Sequence, residues 1–305
     1  MHRSNSPRAA SGRPRLFSLA GLARLAVVST LAFALGACGL LPEVKDETAG
    51  WSADRLYQTA HDALVQGNYT RATKLFDQLE ARFPYGRYAQ QAILESAYAN
   101  WRANETAAAI AAADRFIRTY PNHPNVDYAY YLKGLVHFRE DQGLIGFVYE
   151  LDLAERDPRE MRSSFAAFKE LTAKYPDSQY YQDSLARMRY LNNAMATYEY
   201  NVARYYYNRG AYIAAANRAQ GVLVNFPQTP ANEKALDILY KSYAKLNMPQ
   251  LADDSKAILA KTYPESRYVT GVKDKSWWEF WKKEEEAYGV QATGQLAEQP
   301  WWKFW

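Results

Sequence analysis

The stretch Gly67-Asn68-Tyr69-Thr70-Arg71-Ala72-Thr73-Lys74-Leu75-Phe76-Asp77-Gln78-Leu79-Glu80-Ala81-Arg82-Phe83-Pro84 decides the fold. Apolar residues at 72, 75, 76 and 79 recur at the spacing of one helix face. Gly67 and Tyr69 mark the turn that opens the helix, and Phe83-Pro84 ends it. Proline has no backbone N–H to donate and restricts the residue before it. The same aromatic-proline ending returns four times, as Tyr120-Pro121, Tyr175-Pro176, Phe226-Pro227 and Tyr263-Pro264. The prolines lie 37, 55, 51 and 37 residues apart.

Aligned on those prolines, the segments are variants of one unit. The first carries Ala72, Phe76 and Leu79. The second carries Ala97, Ala109, Ala113 and Phe116. The third has Ser164 where a small Ala is expected, then Phe168 and Leu171. The fourth has Val202, Ala203, Tyr206, Gly210, Tyr212, Ala215, Ala219 and Val222. The fifth has Leu239, Tyr243, Ala252 and Leu259. These units resemble tetratricopeptide repeats. Two antiparallel helices need small side chains where their backbones approach and large ones three or four positions away. Gly or Asn at the turn accepts the left-handed conformation that ends a helix. One pair cannot bury its own apolar face, so pairs stack. The expected fold class is all-α: a tetratricopeptide-type helical solenoid of about five helix pairs.

The two long spacings mark interruptions. Residues 141–160 carry Gly143, Gly146 and Pro158 and read as an insertion between the helices of repeat three. From 181 to 200 the apolar pattern stays helical, with Leu185, Met188, Leu191 and Met195 on one face. The organisation expected is a signal peptide over 1–37, a lipidated terminus and flexible tether over 38–50, and repeats one to three over 51–180. A long linking helix with repeats four and five follows over 181–270, then a Trp-rich tail over 271–305.

The N-terminus carries the export signal. Arginines run to Arg24, an apolar stretch follows to Leu35, and Gly36-Ala37 precede Cys38. This is the charged, apolar and small-residue order of a secretory signal. The apolar run is about 11 residues, too short for a bilayer core of roughly 30 Å. Leu35-Gly36-Ala37-Cys38 resembles the bacterial lipobox. That resemblance implies S-diacylglycerol and N-acyl chains on Cys38, the one cysteine of the chain. Two or more chains give stable anchoring. Gly39 rather than Asp after the cysteine resembles the Gram-negative sorting pattern, which implies the outer membrane.

Composition excludes several functions. The net charge of +4 comes from the signal, whose five arginines meet no acid. The remainder is near neutral, without the basic footprint of a nucleic-acid binder. His2, His61, His123 and His137 show no zinc spacing, and no phosphate loop or nucleophile elbow is present. His123, between Pro121 and Pro124, reads as a turn residue. The expectation is a binder, not an enzyme: no catalytic residue, no metal, no cofactor beyond the lipid on Cys38, no small-molecule substrate and no nucleic acid.

A more specific resemblance rests on the lipobox, the five repeats, Tyr-Pro-Asn-His-Pro-Asn at 120–125 running into Val126-Asp127-Tyr128, Arg156-Asp157-Pro158 and Tyr-Glu-Tyr at 198–200 before Arg209-Gly210-Ala211. Over residues 51–270 the chain resembles the BamD family, lipoproteins of the outer-membrane β-barrel assembly machine. Phe165, Phe168, Tyr175-Pro176 and Ser178-Gln179-Tyr180 continue the likeness. What this implies is a periplasm-facing scaffold on the outer membrane. It would bind the insertase BamA through C-terminal repeats, hold other lipoproteins of the complex, and engage unfolded outer-membrane proteins through N-terminal repeats. Arg218 matches the family position linked to BamA, with Tyr205, Tyr206 and Arg209 on the same unit. The matching substrate pocket lies around Phe83, Pro84 and Tyr85, with Tyr57 and Tyr69 nearby. Arg218 also reads as solvated surface, Tyr206 as repeat core and Phe83 as helix-end packing. A second function stands beside the first: a periplasmic adaptor for a cell-wall enzyme or a secretion apparatus.

The tail departs from the family. Trp-Trp-x-Phe-Trp occurs twice, with Trp277, Trp278 and Trp281 in one copy and Trp301, Trp302 and Trp305 in the other. Trp and Phe beside Lys suit a membrane interface. Docking onto a partner or back onto the solenoid, and mimicry of a terminal aromatic substrate signal, are the rival readings.

Overall fold

The computed structural model describes residues 46–138 and 158–271. Cys38, the core of the insertion and the Trp-rich tail lie outside them. The chain divides into residues 1–50 and residues 51–305. In the first unit, residues 46–50 make a turn in which the Thr48 N–H and hydroxyl both donate to the Asp46 carboxylate.

Every regular element among the described residues is helical, and ten helices form five consecutive pairs. Repeat one is α1 (Ala53–Val65) and α2 (Tyr69–Arg82); repeat two is α3 (Arg87–Arg102) and α4 (Thr106–Thr119). Repeat three is α5 (Val126–His137) and α6 (Pro158–Lys174). Repeat four pairs the 28-residue α7 (Tyr181–Asn208) with α8 (Tyr212–Asn225). Repeat five is α9 (Ala231–Lys245) and α10 (Pro249–Thr262). The four-residue α11 (Arg267–Thr270) closes the described chain. From α1 to α10 each helix packs on the next, and α1 also touches α3, α3 touches α5 and α7 touches α9. The solenoid expected from the repeat pattern is the fold observed.

The aromatic-proline dipeptides do one job five times. The N–H of Phe83, Tyr120, Tyr175, Phe226 and Tyr263 each donates to the carbonyl four residues back, 2.7–3.0 Å away. The proline behind then stops the helix. Between paired helices the chain turns through left-handed residues: Gly67 and Gly210 at φ 78°, Asn104 at 69° and Asn247 at 56°. Glycine takes that conformation without steric cost, and asparagine pays less than most residues.

The aligned small and large residues are core. Ala72, Ala109, Ala113, Phe116, Phe168, Leu171, Ala215, Ala219 and Val222 have no exposed surface. Eight residues before each proline, Phe76, Ala113, Phe168 and Ala219 are buried, but Lys256 is exposed. A polar outer face is how a solenoid ends. The weak third repeat is resolved at Ser164. It is fully buried, and its hydroxyl donates to the Gly134 carbonyl at 2.9 Å, where α6 meets α5. A Cβ on Gly134 would overlap the Phe168 ring, so the small residue expected on α6 is supplied by α5.

One expectation is corrected. Residues 158–160 belong to the first turn of α6 rather than the insertion. Helix α7 is continuous, as its apolar pattern implied; the deep positions at its start are Asp183, Ser184 and Arg187, with Leu185 and Met188 half-buried and Leu191 and Met195 buried. A charged pair occupies this interior. Arg187 Nε lies 2.6 Å from Asp183 Oδ2, which also accepts the Tyr131 hydroxyl at 2.7 Å. The Arg187 guanidinium stands 4.6 Å from the Phe138 ring centre. Two apolar clusters result. One runs from Leu56 to Met195, the other from Ala196 to Leu259. Helix α7 crosses from one to the other without a break.

Candidate partner-binding site

On the C-terminal side, α7 and α8 carry the residues matched to the partner contact. Arg209 follows α7 as its cap, and its guanidinium lies 5.3 Å from the Tyr205 ring. Tyr205 is 56% exposed. Tyr206 meets it edge-on at 5.9 Å and packs on the second cluster. The structure therefore gives Tyr206 a core job as well as an edge in this patch. Ile213 and Val224, 64% and 70% exposed, lie 11 residues apart on α8. That is close to three whole turns, so both stand on one face.

Arg218 projects from the middle of α8. Its Nη1 donates to Glu199 Oε2 at 2.9 Å, tying α8 to α7. Glu199 also faces Arg162 of α6, at 3.7 Å. Half of the Arg218 side chain stays exposed. One carboxylate between two guanidiniums leaves net positive charge where three helices meet, a surface suited to an acidic side chain.

On the N-terminal side, the four candidates divide. Tyr57 lies in the first turns of α1, and Phe83 and Tyr85 follow the end of α2, the same end of the antiparallel pair. The Tyr57 ring lies 5.2 Å from Tyr88, in the first turn of α3. Tyr85 is 90% exposed, and Phe83 packs half-buried on the core. Tyr69 opens α2 and Phe83 follows its last residue, so about 20 Å of helix separates them. Tyr69 instead sits 5.3 Å from the Arg102 guanidinium. Its placement beside the other three, as the resemblance implied, is corrected: one pocket does not hold all four.

Tyr57 is also less free than its sequence position suggests. Its hydroxyl donates to Glu95 Oε1 at 2.7 Å. Burial, then the Glu95 charge, push that hydroxyl well above the ordinary tyrosine range, so it stays protonated. His61 Nδ1 lies 2.9 Å from Glu95 Oε2. Glu95 itself has no exposed surface. Sequence reasoning passed over Glu95, His61 and the Asp183–Arg187–Tyr131 group. The one available signal was an ionisable residue at a core position of the helical period, as at Glu95 within Ile93-Leu94-Glu95-Ser96-Ala97.

His123 serves its turn. The Asn125 N–H donates to its Nδ1 at 3.1 Å, and its ring meets Phe116 edge-on at 5.1 Å. Burial holds its pKa below the ordinary value, which keeps it neutral. Among the described residues no group of three or more His, Cys, Asp or Glu is placed to hold a metal ion, and no helix is long and apolar enough to cross a membrane.

Comparison with known proteins gives one consistent result. A family model described as YfiO, outer membrane lipoprotein, matches residues 50–259. A Neisseria meningitidis protein named outer membrane protein assembly factor BamD is 43% identical, over 85% of this chain and 99% of its own length. Proteins of the same name from Xylella fastidiosa and Vibrio cholerae are 37% and 32% identical. Those alignments cover 75% and 73% of this chain, and 78% and 91% of the relatives.

Proposed function

We propose, from the premise that this chain belongs to the YfiO family of outer membrane lipoproteins, that it is a non-enzymatic scaffold of outer-membrane β-barrel assembly. The carrying observation is the 43% identity to a BamD assembly factor across nearly that protein's whole length. Acyl chains on Cys38 hold it to the outer membrane, facing the periplasm. The C-terminal repeats bind BamA through the patch of Arg218, Arg209, Tyr205 and Tyr206. Other lipoproteins of the complex attach to the same stack. The N-terminal repeats engage unfolded outer-membrane proteins around Tyr57, Phe83 and Tyr85, with Tyr69 serving a separate surface.

The physical support is division of labour along a stiff frame. Charge-assisted pairing at Arg218 and exposed aromatic area at Tyr205 suit a folded partner. The exposed ring of Tyr85, two residues past half-buried Phe83, suits an aromatic side chain of an extended one. The test is affinity purification of the full chain from detergent-solubilised membranes. A β-barrel protein with periplasmic domains should co-purify with the wild type, and Arg218→Glu should reduce its recovery at least tenfold. Wild-type recovery of a cell-wall enzyme or secretion component in its place would favour the adaptor reading.

A further inference from the structure

Glu95 is a fully buried acid in the seam where α3 meets α1. Its two oxygens are shared between two α1 side chains one turn apart. Tyr57 donates to Oε1 and His61 Nδ1 sits at Oε2. The Tyr57 and His61 rings stack, with centroids 5.9 Å apart and planes 22° apart. A buried carboxylate is costly unless an opposite charge and hydrogen bonds compensate it. Of its two donors, only histidine gains or loses a charge between about pH 5 and 8. The His61 side chain keeps 24% of its surface exposed, so solvent protons reach it.

We propose that His61 and Glu95 form a proton-controlled clasp between repeats one and two, closed while the imidazole is charged. In the closed state a cation on α1 faces the anion on α3. When the proton leaves to solvent, the neutral ring still offers an Nδ1–H in one tautomer but no longer cancels the buried charge. The α1–α3 seam then opens more readily.

The surroundings bear on His61 from each packed element. Within α1, Asp62 favours the charged ring and Tyr57 stacks on it. From α3, Glu95 acts directly, while Tyr88 and Arg87 act on Tyr57. From α5, Tyr128 lies within range of Glu95, and α2 sets Phe76 against Tyr57. The Glu95 hydrogen bond raises the His61 pKa above its ordinary 6.5, with burial opposing it. A raised histidine pKa gives stability that is fully present below pH 6.5 and lost as pH rises through the folded value. The same carboxylate holds Tyr57, so opening also frees a substrate-contact candidate. That consequence rests on the proposed function; the clasp does not.

The test titrates ¹³C-labelled histidine in the full chain by NMR and follows amide exchange over residues 53–65, corrected for its intrinsic pH dependence. The expected result is a His61 midpoint above 6.5 that moves down in Glu95→Gln, where burial dominates. Exchange in α1 should rise several-fold as pH passes that midpoint in the wild type, with no step in His61→Gln. The His61→Gln arm stands by itself if Glu95→Gln does not fold. A wild-type midpoint at or below 6.5, or an exchange step that survives His61→Gln, overturns the clasp.

Discussion

The two halves of this stack solve the same packing problem with different materials. From Leu56 to Met195 alanines such as Ala72, Ala109 and Ala113 share the core with many large rings and buried charge: Phe76, Tyr98, Phe116, Tyr128, Tyr131, Phe168 and Tyr180, with Glu95, Asp183 and Arg187 among them. From Ala196 to Leu259 it uses mainly alanines, at 196, 203, 215, 216, 219, 231 and 235, filled out by Val222, Leu236, Ile238, Leu239 and Leu259, with Tyr200 as its buried ring and Asp237, paired to Lys241, as its buried acid. Small residues let helices approach closely, and every added methylene there is felt. Ion networks fix the register of helices through directional bonds. The first half is therefore vulnerable to loss of one polar partner, and the second to gain of volume.

That contrast breaks most visibly at Arg187. Arg187→Ala leaves Asp183 buried beside Tyr131 without its cation, and should cost about 3–5 kcal/mol in chemical denaturation. Replacing Asp183 and Arg187 together with apolar residues should recover much of the loss. If the single change costs under about 1 kcal/mol, the buried pair does not organise the first half.

Overpacking sharpens the comparison at a smaller scale. Ala219→Leu in the second half should lose about 1–3 kcal/mol. In the first half only points of close approach should respond alike. Gly134→Ala, which drives a methyl into the Phe168 ring, should fall in the same range, about 1–3 kcal/mol. Both are read as a shift in denaturation midpoint at unchanged slope.

Acidity should separate the halves more weakly. Stability of the wild type relative to His61→Gln should be greatest near pH 5.5 and shrink as pH climbs through the raised His61 pKa. His123 works in the opposite sense, since burial lowers its pKa and acid charges it. The paired comparison with His61→Gln removes that contribution. The smallest stability effect belongs to the exposed Arg218–Glu199 pair. Arg218→Ala should cost under about 1 kcal/mol, so any large loss of partner capture in that variant reflects recognition.

Much of the fold was legible because repetition multiplies a weak signal. A single Phe-Pro says little, whereas five in phase with Ala, Phe and Leu positions define helix pairs and their buried faces. Ser164 shows how such a reading stops short. The missing alanine is balanced by Gly134 on a helix 30 residues away, and a pattern within one segment does not show what faces it. The interior of α7 was not legible for a related reason. Apolar periodicity shows Leu185 and Met188 but not the Asp183–Arg187 pair, which Tyr131 completes from α5. Tyr205, Tyr206 and Arg209 came from the resemblance alone, as neighbours of Arg218 in repeat four, and no periodicity singles them out. The separation of Tyr69 from Phe83 needed the length of α2.

The central claim is that one half of this stack meets the insertion partner and the other meets the substrate. The most direct measurement is the level of folded, heat-modifiable β-barrel protein in the outer membrane after the native chain is replaced by Tyr85→Ala/Phe83→Leu or by Arg218→Glu, with partner co-purification scored in the same cells. The account predicts fewer folded barrels in both, with partner recovery retained in the first and lost in the second. Undiminished barrels in both variants, or equal loss of the partner in both, would contradict it.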